Sequence, residues 1–254
     1  MLRVVPVVLA LLLVPVSASA EEVAGDAPAE AAPLSGRTIV IDPGHQVGNH
    51  HFPEKISRLV PAGGFKKACN TVGSRTGGGV AEPTLIWRVA KVLVPRLERQ
   101  GARVILTRTR NSQELWGPCV DERGRRGNQV DADLKISIHG DGADSSGRGF
   151  HVIRPTDRPR WTRDIVAPSR RLAKIVRASL KGRHFRLADY TAGGHGLVAR
   201  GDLATLNLSD VPTVMVELGN LRNRRDAALL TSSSGRTRYA RGLLDAVRAF
   251  LRVD

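Results

Sequence analysis

From residue 37 onward, short apolar runs rich in β-branched side chains alternate with longer amphipathic segments, and this alternation constrains the fold more than any other feature. The short runs predict strands at residues 38–41, 103–107, 134–138, 149–153, 196–199 and 213–216. The longer segments predict helices at residues 83–100, 120–130, 167–180 and 236–252. Strands and helices that alternate in this way form a mostly parallel sheet with helices on both faces. The sequence therefore predicts an α/β fold.

Side chains that can carry chemistry stand where three of these predicted strands end. The first strand leads into His45, the third into His139 and the last into Glu217. In an open parallel sheet, ligands and catalytic groups gather at the carboxyl ends of the strands. Three separate strands are thus expected to deliver metal-binding or acid–base groups to one edge of the sheet.

Two histidines and a carboxylate, with one position left open for water, are a common catalytic zinc site. His45 and His139 would supply the nitrogens. Glu82 is the predicted third ligand because it precedes Pro83 at a helix start, where the helix dipole favours the ionised carboxylate that a metal needs. Glu217 would stay outside the ligand set, free to accept a proton from water. Each residue also has a structural interpretation, as a hydrogen-bonded histidine or an acid at a helix start.

Other kinds of active site find little support in the sequence. It contains no HExxH helix, no GxSxG nucleophile turn and no glycine-rich phosphate loop of the GxGxxG or GxxxxGK[ST] type. The adjacent histidines His50 and His51 lie in a polar loop with no strand or helix to fix them. We expect them at the surface.

The N-terminal segment differs in composition from the rest of the chain. Within residues 1–20 only one side chain is charged, an apolar run covers residues 4–16, and small residues precede a cleavage point expected after Ala20. This pattern predicts a secretory signal peptide rather than a membrane anchor, which needs about 20 apolar residues. Residues 21–35, rich in Ala, Glu and Pro, predict a disordered leader, so that residues 36–254 would form one folded domain.

Secretion would place the mature protein in the periplasm or the cell wall, without membrane insertion after cleavage. Cys69 and Cys119 are the only cysteines, and an even number in that oxidising environment suggests a disulfide. A pair of metal-binding thiolates is the alternative, and the absence of CxxC spacing speaks against it.

The charge balance indicates the class of partner. The full chain has 39 Lys and Arg against 24 Asp and Glu, a net charge of +15, but aromatic residues make up 4% of it. Because binding to single-stranded nucleic acids depends on aromatic side chains that stack on bases, we expect no nucleic acid partner. A secreted basic protein instead meets anionic polymers of the cell envelope. No heptad repeat indicates self-association, so we expect a monomer.

Four segments occur in the order of the motifs of a known family: TIVIDPGHQ at 38–46, GARVILTR at 101–108, RGRRGNQVDADLKISIHGD at 123–141 and VPTVMVELGNLRN at 211–223. With them the chain resembles the zinc-dependent N-acetylmuramoyl-L-alanine amidases of bacterial cell walls, the amidase_3 group. It is especially similar to the small secreted actinobacterial members with a catalytic domain alone. The resemblance extends from about residue 37 to the C-terminus. It implies a single three-layer α/β/α domain with a mostly parallel mixed sheet.

The resemblance also implies a chemistry. Zn²⁺ would be bound by His45, Glu82 and His139, and Glu217 would be the catalytic residue. The substrate would be peptidoglycan or muropeptide fragments, cut at the amide between N-acetylmuramic acid and L-alanine of the stem peptide. Two alternatives stay open: a zinc peptidase acting within the stem peptide, and an inactive wall-binding protein with the same fold.

The chain departs from the family pattern at three places close to the predicted site. Gln46 stands where a glycine usually follows the first histidine, and Gly140 stands where an alanine usually follows the second. Residues 218–220 read Leu-Gly-Asn where the family usually has Gly-Phe. These departures affect the expected loop shape and substrate preference, because none of them removes a ligand.

A long segment separates the first two predicted ligands. Residues 53–79 have no clear periodicity, and they hold five cations, Lys55, Arg58, Lys66, Lys67 and Arg75. Long loops within a compact domain are commonly functional or disordered. We expect an irregular flap over the substrate groove, tethered through Cys69 to Cys119, whose cations meet stem-peptide carboxylates. A solvated basic loop is the alternative.

Overall fold

A computed structural model describes residues 1–2 and 32–252 of the chain. The predicted signal peptide beyond its second residue and the predicted leader as far as residue 31 lie outside the described residues. The rest of the leader differs from the prediction, because Leu34 is only 1% exposed and its N–H donates to the Gln100 carbonyl oxygen at 2.7 Å. The packed part of the chain therefore begins before residue 36.

The strands are β1 (Thr38–Pro43), β2 (Leu59–Pro61), β3 (Lys66–Ala68), β4 (Arg103–Leu106), β5 (Leu134–Asp141), β6 (His151–Pro155), β7 (Leu197–Arg200) and β8 (Thr213–Asn220). Six of them form the central sheet in the order β4-β1-β5-β8-β6-β7. All neighbours in this sheet are parallel except β6 and β8, which are antiparallel. The six predicted strands and the mostly parallel mixed sheet are thus confirmed.

The helices are α1 (Pro53–Ser57), α2 (Glu82–Glu98), α3 (Val120–Arg125), α4 (Val166–Gly182), α5 (Ala204–Asn207), α6 (Arg224–Thr231) and α7 (Ser233–Leu251). The long helices α2, α4 and α7 pack together on one face of the sheet, and the short helices α3 and α5 cover the other. This arrangement is the three-layer α/β/α fold. None of the helices in the described part is both long and apolar enough to cross a membrane.

The main core lies between the sheet and the long helices. Along α2, the buried residues Leu85, Ile86, Val89, Ala90, Leu93 and Leu97 recur at spacings of three and four, which places them on one helix face. Ile39 and Ile41 point to the same core from β1, because alternate strand residues share a face. Val40 and Asp42 consequently face the side of the sheet that α3 covers, where the candidate site lies.

Residues 53–79 are more regular than predicted. They contain α1 and the antiparallel hairpin of β2 and β3, which we call the flap hairpin. Cys69 and Cys119 form a disulfide, as expected, at the base of this hairpin. The tip is fixed as well, since the carbonyl oxygen of Gly63 accepts from Arg158 at 2.6 Å and that of Ala62 accepts from Asn207 at 2.9 Å. Three-residue strands are too short for a hydrophobic period to reveal them.

Candidate metal centre

His45 lies directly beyond β1 and turns its ring toward the carboxyl end of the sheet. Its backbone has a φ of 56°, in the left-handed region that non-glycine residues seldom adopt and that is often found at functional sites. Its Nδ1 lies 3.1 Å from the carbonyl oxygen of Thr71. A carbonyl oxygen can only accept, so we assign the hydrogen to Nδ1. The lone pair of Nε2 is then available to a metal.

Glu82 opens α2, where Pro83 suits the first helical turn. Its Oε1 lies 2.9 Å from His139 Nδ1 and 3.4 Å from His45 Nε2, while its Oε2 accepts from the Ser74 N–H at 2.7 Å. Burial acts to raise the pKa of this carboxyl, but the neighbouring His45 and the hydrogen bond from His139 outweigh it and hold the pKa well below its usual value. Glu82 is therefore ionised, the form that binds a metal.

His139 is buried in β5, and burial lowers its pKa, which favours the neutral imidazole. A Cβ on Gly44 would lie only 2.4 Å from its Cε1, so only glycine at position 44 leaves room for the ring. The guanidinium of Arg123 lies 3.0 Å from its Nε2. Arg123 is in turn held by two hydrogen bonds to Asp42, of 2.8 and 2.9 Å. Neither Arg123 nor Asp42 was predicted as part of the site.

A second glycine, also not predicted, packs against the other two predicted ligands. A Cβ on Gly73 would lie 2.7 Å from Glu82 Oε2 and 2.9 Å from His45 Cδ2, and its φ is +75°. Only glycine combines this backbone conformation with so close an approach.

The structure thus brings the three predicted ligands together. One ligand atom each from His45, Glu82 and His139 lies within 4.8 Å of the others. Two imidazoles and an ionised carboxylate, surrounded by two glycines that leave space for them, fit a zinc ion. A second group of Cys119, Asp121 and Glu122 does not fit, because the Cys119 sulfur is in the disulfide.

Glu217 stands beside this cluster and is not part of it. It is in register with His139 on the neighbouring strand, and its Oε2 is buried without a hydrogen-bond partner among the described residues. Burial raises its pKa well above the usual value, and the charges of Glu82 and Asp141 add to the effect against the opposing charge of Arg200. A carboxyl whose pKa is raised by burial and by neighbouring negative charge is a candidate general acid or base.

A cavity of about 230 Å³ connects these groups. Its polar lining includes His45, Lys67, Arg123, His139, Arg200 and Glu217. Lys67, from the flap hairpin, donates to the Asp202 carbonyl oxygen at 2.8 Å. Of the five predicted flap cations, Lys67 is the one that lines this cavity, whereas Lys55 and Arg58 lie over the ring of Trp116. The paired histidines at positions 50 and 51 are exposed, as predicted.

Comparison with known proteins identifies the family of this chain. The Amidase_3 family, described as N-acetylmuramoyl-L-alanine amidase, matches residues 39–249. An N-acetylmuramoyl-L-alanine amidase of Mycobacterium tuberculosis is 38% identical over 235 residues, which are 92% of this chain and 94% of that protein.

Solved structures give the same result. The crystal structure of the N-acetylmuramyl-L-alanine amidase Ami1 of Mycobacterium smegmatis matches with a TM-score of 0.80 and 35% identity, over 86% of this chain and 98% of its own. The apo form of Ami1 from Mycobacterium abscessus matches with a TM-score of 0.79 and 37% identity, over 85% and 99%. With the family match covering most of its length, the chain belongs to the Amidase_3 family of N-acetylmuramoyl-L-alanine amidases.

Proposed function

We propose that this protein is a secreted, monomeric, zinc-dependent peptidoglycan hydrolase that cleaves the amide between N-acetylmuramic acid and the L-alanine of the stem peptide. The observation that carries the proposal is the cluster of His45, Glu82 and His139 beside the unpaired Oε2 of Glu217. The family match and the names of the mycobacterial relatives support the choice of bond.

The three clustered side chains would hold the zinc. A metal requires neutral imidazoles and an ionised glutamate; burial favours the neutral form of His139, and the neighbouring histidines favour the ionised form of Glu82. When bound, zinc supplies Lewis acidity toward the scissile carbonyl and the attacking water. The Thr71 carbonyl oxygen accepts from His45 Nδ1 and fixes the orientation of this ring. Asp42 holds the guanidinium of Arg123 beside His139.

Glu217 would move the proton. In its ionised form, its carboxylate takes a proton from the attacking water as the new carbon–oxygen bond forms. The raised pKa of Glu217 favours the protonated carboxyl that has to deliver this proton. The proton passes to the leaving nitrogen as the carbon–nitrogen bond breaks, so that the nitrogen departs as the free amine of L-alanine. The carboxylate is thereby restored for the next turnover.

The alternatives differ from this proposal in their products. A zinc peptidase with the same site would cut within the stem peptide and leave at least one amino acid attached to the sugar. An inactive wall-binding protein would release nothing from peptidoglycan. The cluster of His45, Glu82 and His139 and the unpaired Oε2 of Glu217 argue against an inactive wall-binding protein.

Mass spectrometry of digested muropeptides, together with zinc analysis of the purified protein, tests the proposal. We expect about one zinc per chain and intact stem peptides with a free L-alanine amine. Sugars that keep L-alanine would contradict the proposed bond. A protein that binds no zinc, or is fully active after complete removal of the metal, would contradict the proposed metal dependence.

A further inference from the structure

A second histidine stands in line with His139 and Glu217 across the sheet. His151, the first residue of β6, is in antiparallel register with Glu217, just as His139 on β5 is in parallel register with it. In an antiparallel pair, side chains directly opposite each other share a face of the sheet, with Cβ atoms about 4.5–5.5 Å apart. Glu217 therefore has His139 on the side of the candidate metal centre and His151 on the other side.

Both members of the pair of His151 and Glu217 have a polar atom without a partner. Glu217 Oε2 and His151 Nδ1 are buried and form no hydrogen bond with any of the described residues. His151 as a whole is only 5% exposed. Buried polar atoms in folded proteins are nearly always hydrogen-bonded. Two unpaired ones on directly opposed residues therefore call for a common explanation.

The two carboxyl oxygens of Glu217 have different surroundings. Glu217 lines the cavity at the candidate metal centre, whereas its Oε2 is buried away from that cavity. Oε1 is consequently the oxygen that can meet the attacking water and the leaving nitrogen. Oε2 is left to hold the carboxyl group in place, and for this it needs a hydrogen-bond donor.

The ring of His151 is confined by its neighbours. Tyr190 lies edge-on to it, with 6.0 Å between the ring centroids and an angle of 84° between the ring planes. Tyr190 is itself packed closely, because a Cβ on Gly147 would lie 2.8 Å from its Cβ and from its Cδ1. The imidazole is thus kept next to Glu217 by side chains that have no part in the metal centre.

One carboxylate braces the backbone around the pair. Asp226, in α6, is 3% exposed, and its Oδ2 accepts from the N–H of Gly149 at 2.6 Å and from the N–H of Asn220 at 3.0 Å. Gly149 lies two residues before β6, and Asn220 is the last residue of β8. A single oxygen therefore ties the two strands together at the end that carries His151 and Glu217.

The protonation state of His151 suits a hydrogen bond to a carboxyl group. Burial lowers the pKa of His151 against the opposing charge of Asp141, and the charge of Arg200 lowers it further, so the neutral imidazole is favoured. A neutral imidazole has one N–H that can donate. It can donate to one carboxyl oxygen whether the other oxygen is ionised or carries a proton.

We propose that His151 is a positioning residue for Glu217: an imidazole N–H of His151 donates to Glu217 Oε2 and keeps Oε1 facing the reacting groups. Rotation of the two side chains about their own bonds brings this N–H to Oε2 across the register pair. The hydrogen bond lasts through both proton transfers, because Oε1 takes the proton from water and gives it to the leaving nitrogen. This inference rests on the proposed function, which makes Glu217 the proton carrier.

Kinetics of two variants of the zinc-loaded protein test this role. His151→Phe keeps an aromatic ring beside Tyr190 and removes the donor, whereas His151→Gln keeps an N–H. With muropeptides as substrate, His151→Phe should lower kcat by about 10- to 100-fold, the usual effect of misplacing a reacting group, with KM and zinc content unchanged. His151→Gln should recover most of the lost kcat. His195→Phe is the matched control, because His195 is exposed and does not line the cavity.

Proton NMR of the zinc-loaded protein with ¹⁵N-labelled histidine gives a measurement that needs no substitution of His151, and it decides the matter if His151→Phe does not fold. A buried imidazole N–H in a hydrogen bond exchanges slowly with water and should give a resolved signal. Its proximity to the Tyr190 ring assigns the signal to His151. In zinc-loaded Glu217→Ala the signal should be lost or shifted, because its acceptor is gone.

The outcomes separate the positioning role from the proposed function. An equal loss of kcat in His151→Phe and His151→Gln, wild-type turnover in a folded His151→Phe protein, or the same imidazole signal in wild type and Glu217→Ala would overturn the positioning role. None of these results would affect the proposed function if the same amide is cleaved. If muropeptide analysis shows a different bond to be cut, the proposed function fails, and a loss of kcat that His151→Gln restores still assigns His151 to Glu217.

Discussion

Two glycines shape the candidate metal centre as much as its titratable side chains do. The ring of His139 lies 2.4 Å from the place of a Cβ on Gly44, and the carboxylate of Glu82 lies 2.7 Å from the place of a Cβ on Gly73. A metal site needs its ligands held within fractions of an ångström, so neighbouring residues that exclude or admit a ligand ring affect affinity directly.

Gly44→Ala should therefore weaken zinc binding. The added Cβ would lie 2.4 Å from His139 Cε1, and the ring must move to relieve the overlap. We expect a loss in zinc affinity of about 10- to 100-fold, as for other disturbances next to metal ligands. Competition with a chelator measures it. Gly77→Ala is the control because no atom lies within 4 Å of the Cβ it would add. Equal zinc affinity in both variants would contradict this account.

Substitutions of Glu217 and His139 should have different effects. Glu217→Ala removes the proposed proton carrier and should lower turnover by about 10²- to 10⁴-fold while zinc stays bound. His139→Ala removes one of the three proposed ligands and should lose zinc and activity together. Zinc content, melting temperature and muropeptide turnover of both variants decide this. A folded, zinc-loaded Glu217→Ala protein with wild-type turnover would overturn the mechanism.

The sequence could predict some residues of the candidate metal centre and not others. His45, His139 and Glu217 follow apolar runs that form neighbouring strands. The sheet therefore brings them to one edge, independently of the conformation of the loops. Arg123 gave no signal of this kind, because an arginine in a basic helix is indistinguishable from a solvated one until Asp42 is known to be its partner. The role of Gly73 could not be predicted, because it depends on the path of the loop between β3 and α2, which brings Gly73 next to Glu82 and His45.

At the scale of elements, a buried lysine joins β5 to the two short helices. Lys135 has no exposed surface, and its Nζ donates to the carbonyl oxygens of Arg123 and Gly124 in α3 and of Thr205 in α5. Burial lowers its pKa to about 7, although the charge of Asp42 opposes the effect. The ammonium group of Lys135, with a pKa near neutrality, thus connects β5 to α3 and α5 on the side of the sheet where the candidate metal centre lies.

The stability of the fold should rise with pH because of Lys135. Above pH 7 the folded chain loses the proton, whereas the unfolded chain keeps it up to the ordinary lysine pKa of about 10.4. The unfolded state therefore binds more protons in this interval, and the free energy of unfolding increases with pH by up to about 1.4 kcal/mol per unit.

Urea unfolding of the wild type and of Lys135→Met at pH 6, 8 and 10 measures this contribution. The wild type should gain stability relative to the variant as the pH rises, because other titrating groups are common to both proteins. If the two proteins change in parallel over this range, Lys135 does not titrate in the folded state as described.

The sequence predicted helices and strands correctly where the hydrophobic pattern extends over enough residues to be detected. The central strands and α2, α4 and α7 have periods that extend over several residues. The predicted helix at 120–130 is instead split into α3 and a 3-10 turn at Asn128–Val130, after which Asp131 has a φ of 45°. The short α5 and the flap hairpin depend on contacts with distant residues, such as Asn207 with Ala62, that no local pattern contains.

At the scale of the whole molecule, the excess of positive charge should govern attachment to the cell wall. The full chain has a net charge of +15, and cleavage of the predicted signal peptide would remove one positive charge. Attraction between surface charges is screened beyond about 8 Å at physiological ionic strength and beyond about 3 Å at 1 M salt. Binding to an anionic polymer through this charge must therefore weaken as salt is added.

Sedimentation of the mature protein with insoluble peptidoglycan at increasing NaCl concentration tests this dependence. The zinc-loaded Glu217→Ala variant suits the assay, because slow turnover leaves the polymer intact and the net charge of the protein changes by at most one unit. We expect the bound fraction to fall steadily between about 0.05 and 1 M NaCl, the range over which the screening length shortens several-fold. Binding through uncharged contacts alone would be largely insensitive to salt, since stacking and neutral hydrogen bonds do not depend on counterions. A bound fraction that stays constant over the whole range would therefore show that charge is not what attaches this protein to the wall.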